Sequence, residues 1–265
     1  MTTGRSAHRE HVGEVARTQR QRRRHDASLQ YGGETFLAAS AFARLAMRRG
    51  DAGRRHRARD WPLGAWAALR VLARLPRIEV SLTDSPSARV IDAYLRERRR
   101  GLRSHLLARG VLALPPTSEE YLSGRSRRAV RTNRSHAVNL GVSCVGPSDG
   151  ASAQNGVRRL TARGLIDNPD VLLARTSDDW LIALDQSGEV VGGALVTIDR
   201  YWAMLNVLVG SPYPVRYALH ADLVLKLAEM GVQHLFSTNE SALLLPPGLQ
   251  YLQRILGYQV VNLRL

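Results

Sequence analysis

From Trp180 onward the spacing of apolar positions changes in an order that spells out a fold. WLIALDQ is an almost continuous apolar run, Ser187-Gly188-Glu189 interrupts it with hairpin-turn residues, and VVGGALVTID follows. Asp199-Arg200 turns the chain again, and AMLNVLVGS is a third apolar, β-branched run. Together they predict an antiparallel meander of three strands. Between Pro214 and Met230 the period lengthens. Leu219, Leu223, Leu227 and Met230 recur at helical spacing, and Gly231 supplies the stop. VQHLFST then predicts a strand, and after a second helix VVNLRL predicts the strand that closes the chain.

The upstream pattern is mainly helical. Residues 1–30 form a polar arm with a QRQRRRH run, FLAASAFARLAMRR predicts a helix over Thr35–Arg49 ended by Gly50, and Pro62–Leu75 predicts another. RIEVSLT predicts a short strand. Arg89–Leu107 predicts a third helix, with Ile91, Leu95 and Leu102 on one side and Arg98, Arg99 and Arg100 on a solvated face. VLALPP is an apolar run stopped by two prolines. Thr117 or Ser118 then caps a helix whose first turn holds Glu119 and Glu120, the acids that complement a helix N-terminus, and which runs to Gly141. GVSCVGP predicts a strand, Ser148–Gly156 a loop and VRRLTARGLI a short helix, and VLLARTSDDW leads into the meander. The expected organisation is a basic arm over 1–30, a mainly helical region over 31–110 and a mixed domain over 111–265.

Charge sharpens this division. The net charge is +15, but residues 137–265 hold 9 basic and 11 acidic residues, a net of −2. The excess lies upstream, in residues 1–60 with 14 Arg against 6 acids and in residues 95–136 with 11 Arg against 3. The C-terminal half is therefore no basic track for a polyanion. Only Lys226 is lysine among 38 basic residues, a bias that runs through every segment and so says little about phosphate recognition. Cys144 is the single cysteine and rules out an internal disulfide, and no Cys/His cluster has metal-ligand spacing. No secretory signal pattern opens the sequence, and LGAWAALRVLARLP is too short and too interrupted by Arg70 and Arg74 to span a bilayer. A cytoplasmic protein without a metal is expected.

The order of meander, helix, strand, helix and strand resembles the second half of the GNAT (acyl-CoA N-acyltransferase) superfamily fold. GEVVGGALV is similar to that family's strand-three entry, Asn239-x-x-Ala242 to its Asn-x-x-Ala, and LGYQVV to its Gly-Phe closure, with Gly257 and Tyr258 in those places. LPPTSEEYLSGRSRRAVRTNRSHA is similar to the basic helix that opens FemAB-like and cellulose-biosynthesis-associated members of the wider superfamily. The resemblance implies an α+β fold with a mixed, mostly antiparallel sheet flanked by helices. It implies transfer of an acyl group from acyl-CoA to the amine of a small molecule or peptide. A FemAB-like transferase using aminoacyl-tRNA, or a catalytically degenerate binding module, are the alternatives.

The resemblance also implies a site. The pantetheine arm of the donor would lie along Asn206, Val207, Val209 and Gly210, and its pyrophosphate at the loop that includes Ser211, Tyr213, Arg216 and Tyr217. The family's loop is glycine-rich, whereas here its three glycine positions hold Pro212, Pro214 and Arg216. Prolines bring no N–H, so an amide cradle is expected to be lost. Arg216 either replaces it with a side-chain contact or lies exposed in a first helical turn. For the chemistry, Tyr251 is the candidate acid, Glu240 the candidate base and Asn239 its neighbour. Arg127, Arg131 and Arg134 fall on one helical face and either contact an anion, from the donor's phosphates or a tRNA acceptor stem, or decorate a surface helix.

Overall fold

The computed structural model describes residues 73–99, 102–103, 108–146, 153–167, 179–238, 241–242 and 245–265. The arm over 1–30, the helix over 35–49, nearly all of the one over 62–75, and both Asn239 and Glu240 lie outside the described residues. Leu75–Leu265 forms one compact unit, so the boundary expected at residue 111 falls inside it.

The fold is α+β. Eight strands form one mixed sheet: β1 (Arg77–Glu79), β4 (Arg109–Ala113), β5 (Ser143–Val145), β6 (Asp179–Leu184), β7 (Val190–Asp199), β8 (Trp202–Gly210), β9 (His234–Ser237) and β10 (Gln259–Arg264). A separate two-stranded hairpin is made by β2 (Arg98–Arg99) and β3 (Leu102–Arg103). The sheet order is β1-β10-β4-β9-β8-β7-β6-β5. Only β1 with β10 and β8 with β9 pair in parallel, and the other pairs are antiparallel. The expected GNAT-like sequence of meander, helix and parallel strand is present. The closing strand, however, does not lie against β9. β4 is inserted between β9 and β10, which ties residues upstream of the meander into the centre of the sheet.

Among the described residues six α-helices flank the sheet: α1 (Pro86–Arg96), α2 (Ser118–Leu122), α3 (Arg128–Asn139), α4 (Ala153–Ala162), α5 (Pro214–Glu229) and α6 (Pro247–Leu256). α1 begins where Ser85 accepts the Ala88 N–H and Pro86 takes the first turn, the position that tolerates a missing donor. It ends at Arg96, well short of the expected Leu107, and Leu102 lies in the hairpin instead of on its apolar side. Likewise α4 begins at Ala153, inside the segment expected to be a loop.

Period-two alternation gives the sheet two apolar faces. On one, α5 with α2, α3 and α6 buries Leu219, Leu223 and Leu227 against Ala194, Val196, Ala203 and Leu205. On the other, α1 covers Trp202, Met204, Phe236 and Val261 through Ile91 and Leu95. α4 covers Ile182 and Leu195 through Val157 and Leu160. Met230, expected on the buried face of α5, lies just past its end and is 52% exposed. Gly231, at φ +78°, stops α5 as expected, with its N–H on the Ala228 carbonyl and the Val232 N–H on the Leu227 carbonyl.

The basic segment is not one helix. Thr117 caps α2 by accepting the Glu120 N–H, and Glu119 and Glu120 occupy the first turn. The chain then breaks at Gly124, with φ +80°, passes through a 3-10 turn over Arg125–Arg127, and restarts as α3.

Candidate active site

The site is built at the point where two parallel strands part. β8 pairs with β9 from Trp202 to Leu205, and Leu205↔Ser237 is the last partnership. On its other edge β8 stays paired with β7, but the register skips one residue: Val196 faces Leu205 while Leu195 faces Val207. Asn206 is thus the extra residue of a β-bulge, and a bulge bends its strand and re-aims the side chains beyond it. The re-aiming is visible in the packing. Ala203 and Leu205 face the α5 side, whereas Val207 and Val209, in the same phase of the alternation, pack on the α4 side. From Asn206 to Gly210 no described strand lies along the edge of β8 that faces away from β7.

Polar groups fix this fork. The Thr238 N–H and hydroxyl both donate to the Leu205 carbonyl, and the hydroxyl also reaches the Asn206 carbonyl at 3.2 Å. The Asn206 side-chain amide donates to the Thr197 hydroxyl at 3.0 Å, while its Oδ1 is buried without a partner among the described residues. Behind the fork the Tyr94 hydroxyl donates to the Thr238 carbonyl at 2.7 Å and accepts from the buried Arg109 guanidinium at 2.9 Å. Tyr94 and Arg109 carry no motif, and only the insertion of β4 beside β9 brings them here.

Past Gly210 the chain enters α5 through Ser211-Pro212-Tyr213. Ser211 continues the ladder by donating to the Val191 carbonyl at 2.8 Å, so it belongs to the strand end. Pro212 and Pro214 bring no N–H, and the Val215 N–H is bonded to the Pro212 carbonyl at 3.0 Å. Two donors of the turn are therefore missing and a third is used within it. Arg216 does not reach out in their place. Its Nε donates back to the Gly210 carbonyl at 3.1 Å and closes the strand end.

The two tyrosines of this turn meet each other. The Tyr213 and Tyr217 hydroxyls are 2.5 Å apart, with Tyr213 half exposed and Tyr217 buried. Burial raises the Tyr217 pKa, and the hydrogen bond and charge of Tyr213 raise it further. Tyr251 adds to the same rise, which makes it a neighbour of the pair although it stands on α6. Tyr251 is 52% exposed, and its ring lies under the Arg254 guanidinium, 5.5 Å from its centroid. Three phenols thus gather where the open edge of β8 runs into α5. A phenol held this firmly protonated is a weak acid, which leaves Tyr251 as the candidate proton donor.

The arginine row has internal partners. Arg127 donates to the Ile255 carbonyl at 2.9 Å and lies 5.3 Å from the Tyr121 ring centroid, over its face. It fits there because residue 257 is glycine: a Cβ on Gly257 would stand 1.8 Å from its guanidinium. Arg131 donates to the carbonyls of Leu122 and Gly124, closing the C-terminal end of α2. Arg134 is paired with Asp222 at 2.9 Å and joins α3 to α5. Like charges aligned along a helix are relieved here by carbonyls and one carboxylate of the same chain, so the row is no free anion-binding face.

Two further groups are settled by burial. The Cys144 thiol is pushed up to about 12 by burial, with Asp222 adding to the rise, which makes it a poor nucleophile. His220 is fully buried between the Tyr121 hydroxyl on Nδ1 and the Tyr258 hydroxyl on Nε2, each 3.0 Å away. Among the described residues no group of three His, Cys, Asp or Glu side chains is placed to hold a metal ion. No described helix is long and apolar enough to cross a membrane.

The fold and the site define an α+β protein of GNAT-like topology whose sheet opens between two parallel strands beside a cluster of tyrosines. No protein-family profile matches the chain, and no curated protein matches it. Among solved structures, L-PGS from Bacillus licheniformis is 14% identical over 49% of this chain and 46% of its own, at a TM-score of 0.40. The C-terminal domain of a putative lysylphosphatidylglycerol synthetase from Agrobacterium fabrum is 12% identical over 58% of each chain, at 0.41. A GCN5-related N-acetyltransferase from Sphaerobacter thermophilus is 14% identical over 68% of this chain and 55% of its own, at 0.32. The chain thus spans about half the length of these proteins.

Proposed function

We propose that the protein is an acyltransferase that moves an acyl group from acyl-CoA to an amine. The observation that carries this reading is the bulge at Asn206 together with the parting of β8 from β9, which frees one edge of β8 over Asn206–Gly210. An extended amide-containing arm can add to such an edge as a strand, through backbone hydrogen bonds. The thioester would then lie at the fork beside Asn206 and Thr238. Attack of the amine on the thioester carbonyl needs a base for the amine proton and an acid for the departing thiolate. Tyr251 is the candidate acid. Glu240, two residues after Thr238 in sequence, is the candidate base.

A FemAB-like aminoacyl-tRNA donor is the second reading. It is favoured by Pro212 and Pro214, which remove the amides that a CoA pyrophosphate would use. Thermal unfolding with each donor separates the two, because a ligand that binds the folded state raises the midpoint. A rise with acetyl-CoA or a longer acyl-CoA, followed by transfer of a labelled acyl group to an amine, supports the first reading. A rise with charged tRNA alone supports the second. No rise with either leaves a binding module without transfer activity.

A further inference from the structure

The arginines that the sequence singles out are engaged, but three others in the same region are not. Arg125 in the 3-10 turn, Arg128 at the start of α3 and Arg254 on α6 line one groove of about 650 Å³, together with Tyr251, Thr132 and Asn133. Among the described residues no carboxylate lines it. Among the described residues none of the three guanidinium groups forms an ion pair, and Arg254 rests only on the Tyr251 ring.

We infer that this groove between α3 and α6 binds a small phosphate-bearing ligand of nucleotide size. Three guanidinium groups without ion-pair partners around one groove offer an anion several charge-assisted contacts. Phosphate suits this arrangement because its oxygens accept the paired N–H donors of several arginines at once. The Thr132 hydroxyl adds a neutral donor, and the Tyr251 face can stack a planar ring. The volume falls within the range of about 300–1,000 Å³ typical of small-molecule sites. Position argues against a polymer. The three groups line a single groove, and on its α6 side residues 137–265 hold 9 basic against 11 acidic residues. The inference does not depend on the transfer reading, because it is tested by binding and not by activity.

The test is titration of the whole chain with ADP and with inorganic diphosphate, followed by calorimetry, at low and at physiological salt. ADP should bind, and its affinity should fall as salt rises, since the contacts are partly exposed ion pairs. Arg128→Gln and Arg254→Gln should each weaken ADP by about tenfold, the scale of one charge-assisted contact. Arg158→Gln on α4, exposed on the other face of the sheet, should leave it unchanged. Both groove positions are exposed, so the variants should fold, and their unfolding midpoints check this. Absence of ADP and diphosphate binding overturns the inference. So does binding that survives the double variant, and so does binding confined to anionic phospholipid vesicles or to an RNA hairpin.

Discussion

Replacing His220 by Gln should remove a large part of the acid sensitivity of this protein. His220 is fully buried, and its ring is flanked by two phenol hydroxyls, neither of which can neutralise an imidazolium. The hydroxyl of Tyr121 also lies 3.2 Å from the Leu256 carbonyl, which gives a consistent chain: Tyr258 donates to Nε2, Nδ1–H donates to Tyr121, and Tyr121 donates to Leu256. That chain requires the neutral ring. Burial, with the Arg127 charge adding to it, pulls the pKa down to about 3. In the unfolded chain it returns to about 6.5.

The sign follows from these two values. Below about pH 6.5 the unfolded state takes up a proton that the folded state refuses, so stability is full above that pH and is lost as pH falls towards about 3. Integrated from pH 8 to pH 5, the loss from this one group is about 2 kcal/mol. Urea unfolding of both chains at pH 8 and pH 5 gives the difference between their pH dependences, in which carboxylates and the other histidines cancel. The parent chain should lose about 2 kcal/mol more than the variant. Superimposable pH dependences would refute the reasoning, as would NMR showing the parent His220 ring protonated at pH 5.

Other consequences follow from the packing. Gly192→Ala should destabilise by about 1–3 kcal/mol, the usual cost of overpacking, since a Cβ there would stand 2.7 Å from the Val209 carbonyl and 2.9 Å from the Gly210 Cα. A midpoint unchanged in thermal unfolding would contradict this. Asp199→Ala should cost about 1.5–3 kcal/mol, because the carboxylate accepts from the Thr83 N–H and from the Thr83 and Ser85 hydroxyls. Although burial pushes its pKa up, those donors bring it below the ordinary value, so this contribution should fade as pH drops through the carboxylate range in denaturant unfolding. Tyr251→Phe should lower the rate of acyl transfer by about 10²–10⁴-fold if its phenol is the acid. An unchanged rate in a single-turnover assay would exclude Tyr251 from that role.

The meander, α5, its glycine stop and the α2 cap were legible because each rests on local rules: alternation of apolar residues, turn residues, and side chains that satisfy helix-end amides. The same rules misjudged α1, whose helical pattern continued past Arg96 although the chain turns there into the β2–β3 hairpin. They also could not tell which arginines find partners within their own chain. A spacing of i, i+4 and i+7 reports which side chains share a helical face, but not what stands opposite that face. Arg127, Arg131 and Arg134 bond carbonyls and Asp222 of their own chain, while Arg125, Arg128 and Arg254, far apart in sequence, line one groove.

By itself, then, the sequence determined the α+β class, the order of elements from the meander onward and the loss of two loop donors, since prolines bring no N–H wherever the loop lies. Only the tertiary structure decided that β4 enters between β9 and β10, that Asn206 is a bulge, and that β8 leaves β9 after Leu205. The physical reason is that strand pairing and bulges belong to the register between distant segments. Thr197 and Thr238 bond Asn206, and Tyr94 with Arg109 behind it reaches Thr238, only once that register is set.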